Sequence, residues 1–274
     1  MRGRNAPSVG VLSWLDAQRS DREVIRVRIG LIADIHGNLI ALDTVLADMA
    51  GRSVDRIVCL GDVAVLGPYP AAVIRRLREI GCPNVLGNTD AWVLGSAAAE
   101  PSASDSEIGR DLTAWTLEQL DADTLAWLRT APPVLPVDLG VAGTLLCGHG
   151  SPRSHDEVIS ATTSERDLDA MFAGHLCDVY AAGHTHIRLL RETDQRLLLN
   201  PGSVGLPGVG PGTPDLPTNR DVRWADYAIV ETTGGVIGVE IRRIPLDMGQ
   251  MIASAQVSGM PHRDWWVGRW ASAW

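Results

Sequence analysis

The chain has 274 residues, with 24 basic and 33 acidic side chains and a net charge of −9; every one of the 24 basic residues is Arg. The absence of Lys excludes Schiff-base chemistry, PLP anchoring and a P-loop lysine, so phosphate recognition falls to Arg, backbone N–H groups or metal. The acidic balance argues against general nucleic-acid binding, which needs a basic face.

Residues 1–26 read as a polar, Arg-rich extension without sustained periodicity, expected to be flexible. The short apolar stretch Val9–Leu15 is followed by Asp16 and charges, not by a small-residue cleavage site, so no signal peptide is expected. No apolar run reaches the roughly 18 residues that a membrane span needs. Cys59, Cys82, Cys147 and Cys177 form no CxxC pair and read as reduced thiols, which places the chain in the cytoplasm.

Val27–Ala33 is a continuous apolar run, the pattern of a buried strand. Asn38 is placed to cap a helix that puts Leu42, Val45, Leu46 and Met49 on one face and stops at Gly51. Arg56–Leu60 reads as a strand, a helix follows from Pro70 with Val73, Ile74, Leu77 and Ile80 inward, and Asn84–Leu86 reads as a short strand. Gly95–Asp105 is a loop; Ile108–Leu120 and Thr124–Arg129 are helical, with Trp115 and Trp127 as core or lid. Val134–Val137 and Gly143–Cys147 are strands around a Leu139-Gly140 turn. A helix over Ser164–Phe172 leads to the strand Asp178–Ala182. Two hairpins follow, Ile187–Arg191 with Arg196–Leu199 and Tyr227–Glu231 with Val236–Arg243, separated by a Gly/Pro-rich loop at Pro207–Thr218. This order predicts one α/β domain over 27–245 with two β-sheets between helical layers. A helical extension over 246–274 carries Trp265, Trp266, Trp270 and Trp274. The 266, 270, 274 spacing makes one helical face aromatic, for packing on the domain, a homodimer contact or a base-stacking lid.

Polar residues recur where the predicted strands end: Asp34-Ile35-His36-Gly37-Asn38, Gly61-Asp62, Gly87-Asn88-Thr89-Asp90, Gly148-His149-Gly150 and Gly183-His184-Thr185-His186. The C-terminal ends of strands in an open α/β sheet are where ligands bind. Each piece alone is weak; together they bring carboxylate, imidazole and amide oxygen to one place. Four of the seven histidines lie at these ends. Such donors, without thiolate, suit Mn²⁺, Fe²⁺, Co²⁺ or Zn²⁺, with Ni²⁺ also possible and Mn²⁺ preferred. Seven side chains oversupply one ion and serve two, and a carboxylate such as Asp62 can bridge a pair about 3.5–4 Å apart.

The set DxHGN, GD, GN, GHG and GHTH, followed by Asn200-Pro201-Gly202-Ser203, closely resembles the calcineurin-like metallophosphoesterases, and in particular the small bacterial phosphoesterases and asymmetrical diadenosine tetraphosphate hydrolases. The resemblance spans roughly residues 27–245. It implies a four-layer α/β/β/α sandwich of two mixed sheets flanked by helices. It implies that Asp34, His36 and His186 hold a first metal, that Asn88, His149 and His184 hold a second, and that Asp62 bridges them. It implies hydrolysis of phosphate esters by a metal-bridging hydroxide attacking in line, with Asp62 and Asn88 taking part in catalysis. Asn200 and Ser203 are expected to shape the site floor.

Where many members have His in Gly-Asn-His-Asp/Glu, this chain has Thr89, which cannot act as a general acid near pH 7. That departure, with the missing Lys, points to substrates with good leaving groups: phosphoanhydrides or activated diesters of nucleotides, including dinucleoside polyphosphates. Asp90 is a candidate to orient a neighbouring group. His155 is a candidate substitute acid. Arg153 and Arg188 are candidate phosphate contacts, Trp92 a candidate base-stacking residue, and Tyr69 a candidate cleft residue. A Ser/Thr protein phosphatase and a non-catalytic metal-containing scaffold are the competing readings.

Overall fold

The computed structural model describes residues 26–95, 107–207 and 223–271, with side chains described through 268. The expected N-terminal extension, most of the 95–105 and 207–218 loops, and the Trp270 and Trp274 side chains lie outside the described residues.

The strands are β1 (Arg26–Ile32), β2 (Arg56–Cys59), β3 (Val134–Asp138), β4 (Thr144–Gly148), β5 (Val179–Ala181), β6 (Leu189–Glu192), β7 (Leu197–Asn200), β8 (Trp224–Thr233) and β9 (Val236–Pro245). The helices are α1 (Leu39–Ala50), α2 (Pro70–Glu79), α3 (Asn88–Val93), α4 (Glu107–Gln119), α5 (Ala122–Leu128), α6 (Glu165–Met171), α7 (Met248–Val257) and α8 (Arg263–Ala271). One sheet has the order β2-β1-β8-β9 and the other β3-β4-β5-β7-β6. Both are mixed: β1 and β2 are parallel while β1 and β8 are antiparallel, and β4, β5 and β7 are parallel while β3 and β6 run against their neighbours.

The period of two along each strand builds the layers. Ile29 and Leu31 of β1, Val58 of β2, and Ala228 and Val230 of β8 face Leu145 and Cys147 of β4, Val179 and Ala181 of β5 and Leu199 of β7, so one apolar layer fills the space between the sheets. The alternate residues Ile32, Cys59, Tyr227 and Ile229 turn outward onto Leu42, Val45 and Met49 of α1 and Val73, Ile74 and Leu77 of α2. On the far side Leu146, Tyr180 and Leu198 pack against Leu168 of α6 and Phe172. Helices, sheet, sheet and helix therefore stack as four layers.

Local chemistry sets the helix ends. Asn38 Oδ1 accepts the Ala41 N–H at 3.2 Å and caps α1. Asp121 caps α5 in the same way through Thr124 N–H at 2.8 Å. Two expectations change. Asn84–Leu86 contributes a single bridge, Asn84 to Cys59, because Pro83 and the turn at Gly87 leave no room for a ladder. Ile80 is 36 % exposed, since α2 ends at Glu79 and Ile80 follows its last turn.

Candidate metal centre

All seven expected ligands sit just beyond the C-terminal ends of parallel strands or of the Asn84 bridge. Asp34 and His36 follow β1, Asp62 follows β2, Asn88 opens α3, His149 follows β4, and His184 and His186 follow β5. The chain turns so abruptly there that five of the seven are non-glycine residues with positive φ: Asp34 (55°), His36 (49°), Asp62 (56°), His184 (69°) and His186 (58°). Each such conformation costs on the order of 1–3 kcal/mol and persists only where its surroundings over-determine it. Here they do: Asp34 N–H donates to Gly61 O at 3.1 Å and His36 N–H to Asp62 O at 3.0 Å, while Gly205 N–H and Ser203 Oγ donate to Asp34 O at 3.0 and 2.8 Å.

The ligand atoms converge. One atom from each of Asp34, His36, Asp62 and His186 lies within 4.8 Å of the others, and all four residues are buried. His36 Nε2 and His186 Nε2 face each other at 3.1 Å. Asn88 Oδ1 lies 3.0 Å from His149 Nε2 and 2.9 Å from His184 Nδ1, which defines a second group. Asp62 spans the two: Oδ2 is 3.7 Å from His36 Nε2 and Oδ1 is 3.4 Å from His149 Nε2. His184 is the only partly buried member of the seven, so the centre meets solvent on its side.

Each imidazole has its other ring nitrogen anchored. His36 Nδ1 donates to Val65 O at 2.9 Å and His149 Nδ1 to Leu60 O at 2.7 Å. His186 is held by the Leu206 backbone and His184 by that of Asp156. Such anchoring fixes tautomer and ring direction and leaves the inward nitrogen as a lone-pair donor, the arrangement metal-binding histidines need. The residues fit a pair of divalent ions on a second count as well: Asp34 Oδ2 is fully buried without a hydrogen-bond partner, and an unpaired buried carboxylate oxygen is costly unless a cation meets it.

The electrostatics of the ligand set alone show the same tension. Burial pushes the Asp34 carboxyl well above the usual carboxylate range, against the opposing pull of His149, and the Asp62 charge adds to the rise. Burial also opposes ionisation of Asp62, but His149, His36 and His184 together outweigh it and hold that carboxyl below the usual range. Burial disfavours a proton on His149, yet Asp62 and Asp34 push it up to about 10. Burial and the His149 charge lower His184 to about 4, and burial and His36 hold His186 well below the usual imidazole range.

Around the ligands the structure sorts the remaining candidates. Asp90 is fully buried and accepts three backbone N–H groups: Asp62 at 2.9 Å, Val63 at 3.0 Å and Gly87 at 3.3 Å. It thereby pins the strained turn that aims Asp62. Thr89 N–H donates to Asp62 Oδ1 at 2.9 Å, while Thr89 Oγ1 is buried with no partner. His155 lies beside His184 and its Nδ1 is 3.0 Å from Asp156 Oδ2. Trp92 is half-buried on α3, two residues past Asp90. Arg188 is 41 % exposed, 3.7 Å from Asp226.

Arg153, half exposed, binds Glu157 through Nε and Nη2, and its Nη1 donates to Ala170 O at 3.0 Å, so the guanidinium braces its loop against α6. Tyr69 reaches away from the centre: its hydroxyl donates to Ser254 O on α7 at 3.4 Å. Asn200 and Ser203 do shape the floor, with Asn200 Nδ2 donating to Gly183 O at 2.6 Å. One contributor carried no motif. Tyr180 on β5 donates its hydroxyl to Gly150 O at 3.1 Å and buttresses the His149 turn.

The profile of the calcineurin-like phosphoesterase superfamily domain matches residues 27–216. The chain belongs to that superfamily. It is a metal-dependent phosphoesterase by family and by the ligand set described above. An uncharacterised protein of Methanocaldococcus jannaschii, MJ0912, is 26 % identical over 261 residues, covering 89 % of this chain and 97 % of that one. A metallophosphoesterase from Sphaerobacter thermophilus is 27 % identical, with a TM-score of 0.67 over 90 % of this chain and 99 % of that one. The hypothetical protein PH1004 of Pyrococcus horikoshii shares the fold with a TM-score of 0.71 at 20 % identity, over 86 % of this chain and 95 % of its own.

Proposed function

We propose that the centre holds two divalent ions, Mn²⁺ foremost, and that the protein hydrolyses phosphodiester or phosphoanhydride bonds of small nucleotide-like substrates. Asp34, His36 and His186 would hold one ion, Asn88, His149 and His184 the other, and Asp62 both. The observation that carries this reading is the split reach of Asp62, one oxygen toward each histidine group. Two ions so held would supply Lewis acidity and a nucleophile at neutral pH.

The chain's own residues then set the preference among substrates. All four ligand imidazoles are anchored through one nitrogen and turned inward through the other, so none is free to protonate a leaving group. Asp90 is committed to three N–H groups and acts as a positioning residue. Thr89 Oγ1 can donate a hydrogen bond to a bound oxygen and cannot release a proton near pH 7. General acid help is worth about 10²–10⁴-fold for a basic leaving oxygen and far less for a phosphate leaving group. This supports phosphoanhydrides and activated diesters over alkyl monoesters. His155, on the open side by His184, and Trp92 are the residues we place nearest the leaving portion.

The test is a substrate panel with Mn²⁺ comparing a dinucleoside polyphosphate, an aryl diester and an alkyl monoester, run beside Asp62→Asn. The anhydride should be hydrolysed fastest, and Asp62→Asn should lose both activity and bound metal. Faster cleavage of the alkyl ester would overturn the substrate reading; full activity in Asp62→Asn would overturn the bridging assignment.

A further inference from the structure

The second sheet carries a separate cavity of mixed lining at its opposite end. It measures about 420 Å³ and is lined by Thr144, Leu176, Cys177, Asp178, Gln195 and Arg196. Thr144 opens β4, Asp178 precedes β5 and Arg196 precedes β7. The backbone sets them side by side: Asp178 N–H donates to Thr144 O at 3.0 Å and Leu197 N–H to Asp178 O at 2.9 Å. These are strand starts, whereas the metal ligands follow strand ends. The five residues of β4 separate the two places by roughly 15 Å at about 3.3 Å per residue.

Arg196 is the anomaly there. It is only 9 % exposed, and its guanidinium lies over the Phe172 ring, 4.0 Å from the centroid. Nη2 donates to Gln195 Oε1 at 2.8 Å, but Nε is buried with no partner, and among the described residues no carboxylate pairs with this side chain. Arg keeps its charge under all conditions, and a desolvated charge without a counter-ion is costly. Beside it, the exposed Asp178 accepts the Thr144 N–H through Oδ2 at 2.7 Å, and its Oδ1 meets no protein donor among the described residues. A cation and an anion thus line one cavity without touching. A small ion that joined them would have to accept from Arg196 and donate to Asp178.

We propose that this cavity binds inorganic phosphate, with Arg196 donating to its oxygens and Asp178 accepting its hydroxyl. Hydrogenphosphate carries both an anionic oxygen and a proton at neutral pH. Sulfate has the same shape and charge but no proton, so Asp178 repels it. The proposal stands apart from the metal-centre reading.

Phosphate also meets a phosphoesterase centre, so the readout must be local. Cys177 lines the cavity and is partly exposed, whereas Cys59, Cys82 and Cys147 are buried. The rate of iodoacetamide modification at Cys177 is followed by peptide mass spectrometry on the full, Mn²⁺-loaded chain, with phosphate or sulfate at matched ionic strength. By mass action, phosphate at about nine times its Kd should slow the reaction about tenfold, and sulfate should leave it unchanged. Arg196→Gln should abolish the protection. Asp178→Asn, a milder change, should erase the preference for phosphate over sulfate. Asp62→Asn, which alters only the metal centre, should keep the protection intact. An unchanged rate in phosphate, equal protection by sulfate, or protection that survives Arg196→Gln would overturn the proposal.

Discussion

His149 ties metal binding to pH. In the ligand set alone, Asp62 and Asp34 push its imidazole up to about 10, so near neutrality it carries a proton. A metal ion needs the lone pair of that same Nε2, so binding must expel the proton. Metal affinity should therefore rise with pH from 6 to 9, and titration calorimetry in buffers of differing ionisation enthalpy should report at least one proton released per protein. A buffer-independent heat would show that His149 is neutral before metal arrives. Asp90 offers a second test at this scale. Its carboxylate pins the Asp62, Val63 and Gly87 amides, and the ligand side chains themselves stay untouched in Asp90→Asn. Metal affinity should fall about 10–100-fold, the usual cost of losing a supporting partner of a ligand. An unchanged affinity would reduce Asp90 to a turn cap.

The legibility of the site follows from what a residue letter encodes. Asp34, His36, Asp62, Asn88, His149, His184 and His186, which the fold brings together, were readable as candidate ligands because their chemistry is in the side chain and recurs at predicted strand ends. The carbonyls of Val65 and Leu60 that orient the histidines were not, since any residue supplies a carbonyl. Gly205 was equally silent: its φ is ordinary, and only the folded chain shows that a Cβ there would lie 1.7 Å from Ile35 O. A loop Arg four residues after His149 likewise gives no sign in the sequence that Glu157 will hold Arg153.

Between elements, the layers are tied by a few polar contacts at the rim of the apolar core. Asp48 near the end of α1 accepts from Tyr227 of β8, and from Arg52 and Arg242 of β9 at 2.9 Å each. Burial would raise its carboxyl, but the bonds from Tyr227, Arg52 and Arg242 outweigh that and hold it below the usual range. A carboxyl lowered by folding stabilises at pH above its unfolded value, near 3.9, and that contribution is lost as pH falls through the lower folded value. Asp48→Asn should cost about 1 kcal/mol at pH 7, since the group is a quarter exposed and screened by solvent. The difference from the parent protein should vanish in urea unfolding at the acid end. A difference that persisted there would assign the effect to shape and not to charge. The strand reading was sound along the same elements because each is a sustained apolar or alternating run, as in Val27–Ala33. It failed at Asn84–Leu86, where three apolar and polar residues between Pro83 and Gly87 carry too little pattern to separate a bridge from a strand.

At the scale of the molecule, the C-terminal helices belong to the same core as the phosphoesterase fold. The family match ends at residue 216, yet β8 lies between β1 and β9, so the first sheet needs the chain beyond it. Leu246, Met251, Ala255, Met260 and Trp266 then join the cluster that contains Leu42, Val45 and Leu77. Among the described residues, no helix is long and apolar enough to cross a membrane. The aromatic spacing of α8 left three roles open: packing, a homodimer contact or a lid. For Trp266 the burial decides, because a fully enclosed ring has no face left for a base or a second copy. Trp266→Ala should therefore lower the unfolding free energy by about 3–5 kcal/mol, as large aromatic deletions in cores do. Val257→Ala on α7, at a residue 77 % exposed, should stay within about 0.5 kcal/mol. Denaturant unfolding with and without Mn²⁺ separates the outcomes. A lid residue would leave stability intact and raise KM alone, whereas a core residue lowers stability in both conditions and leaves KM unchanged once the protein is folded and loaded.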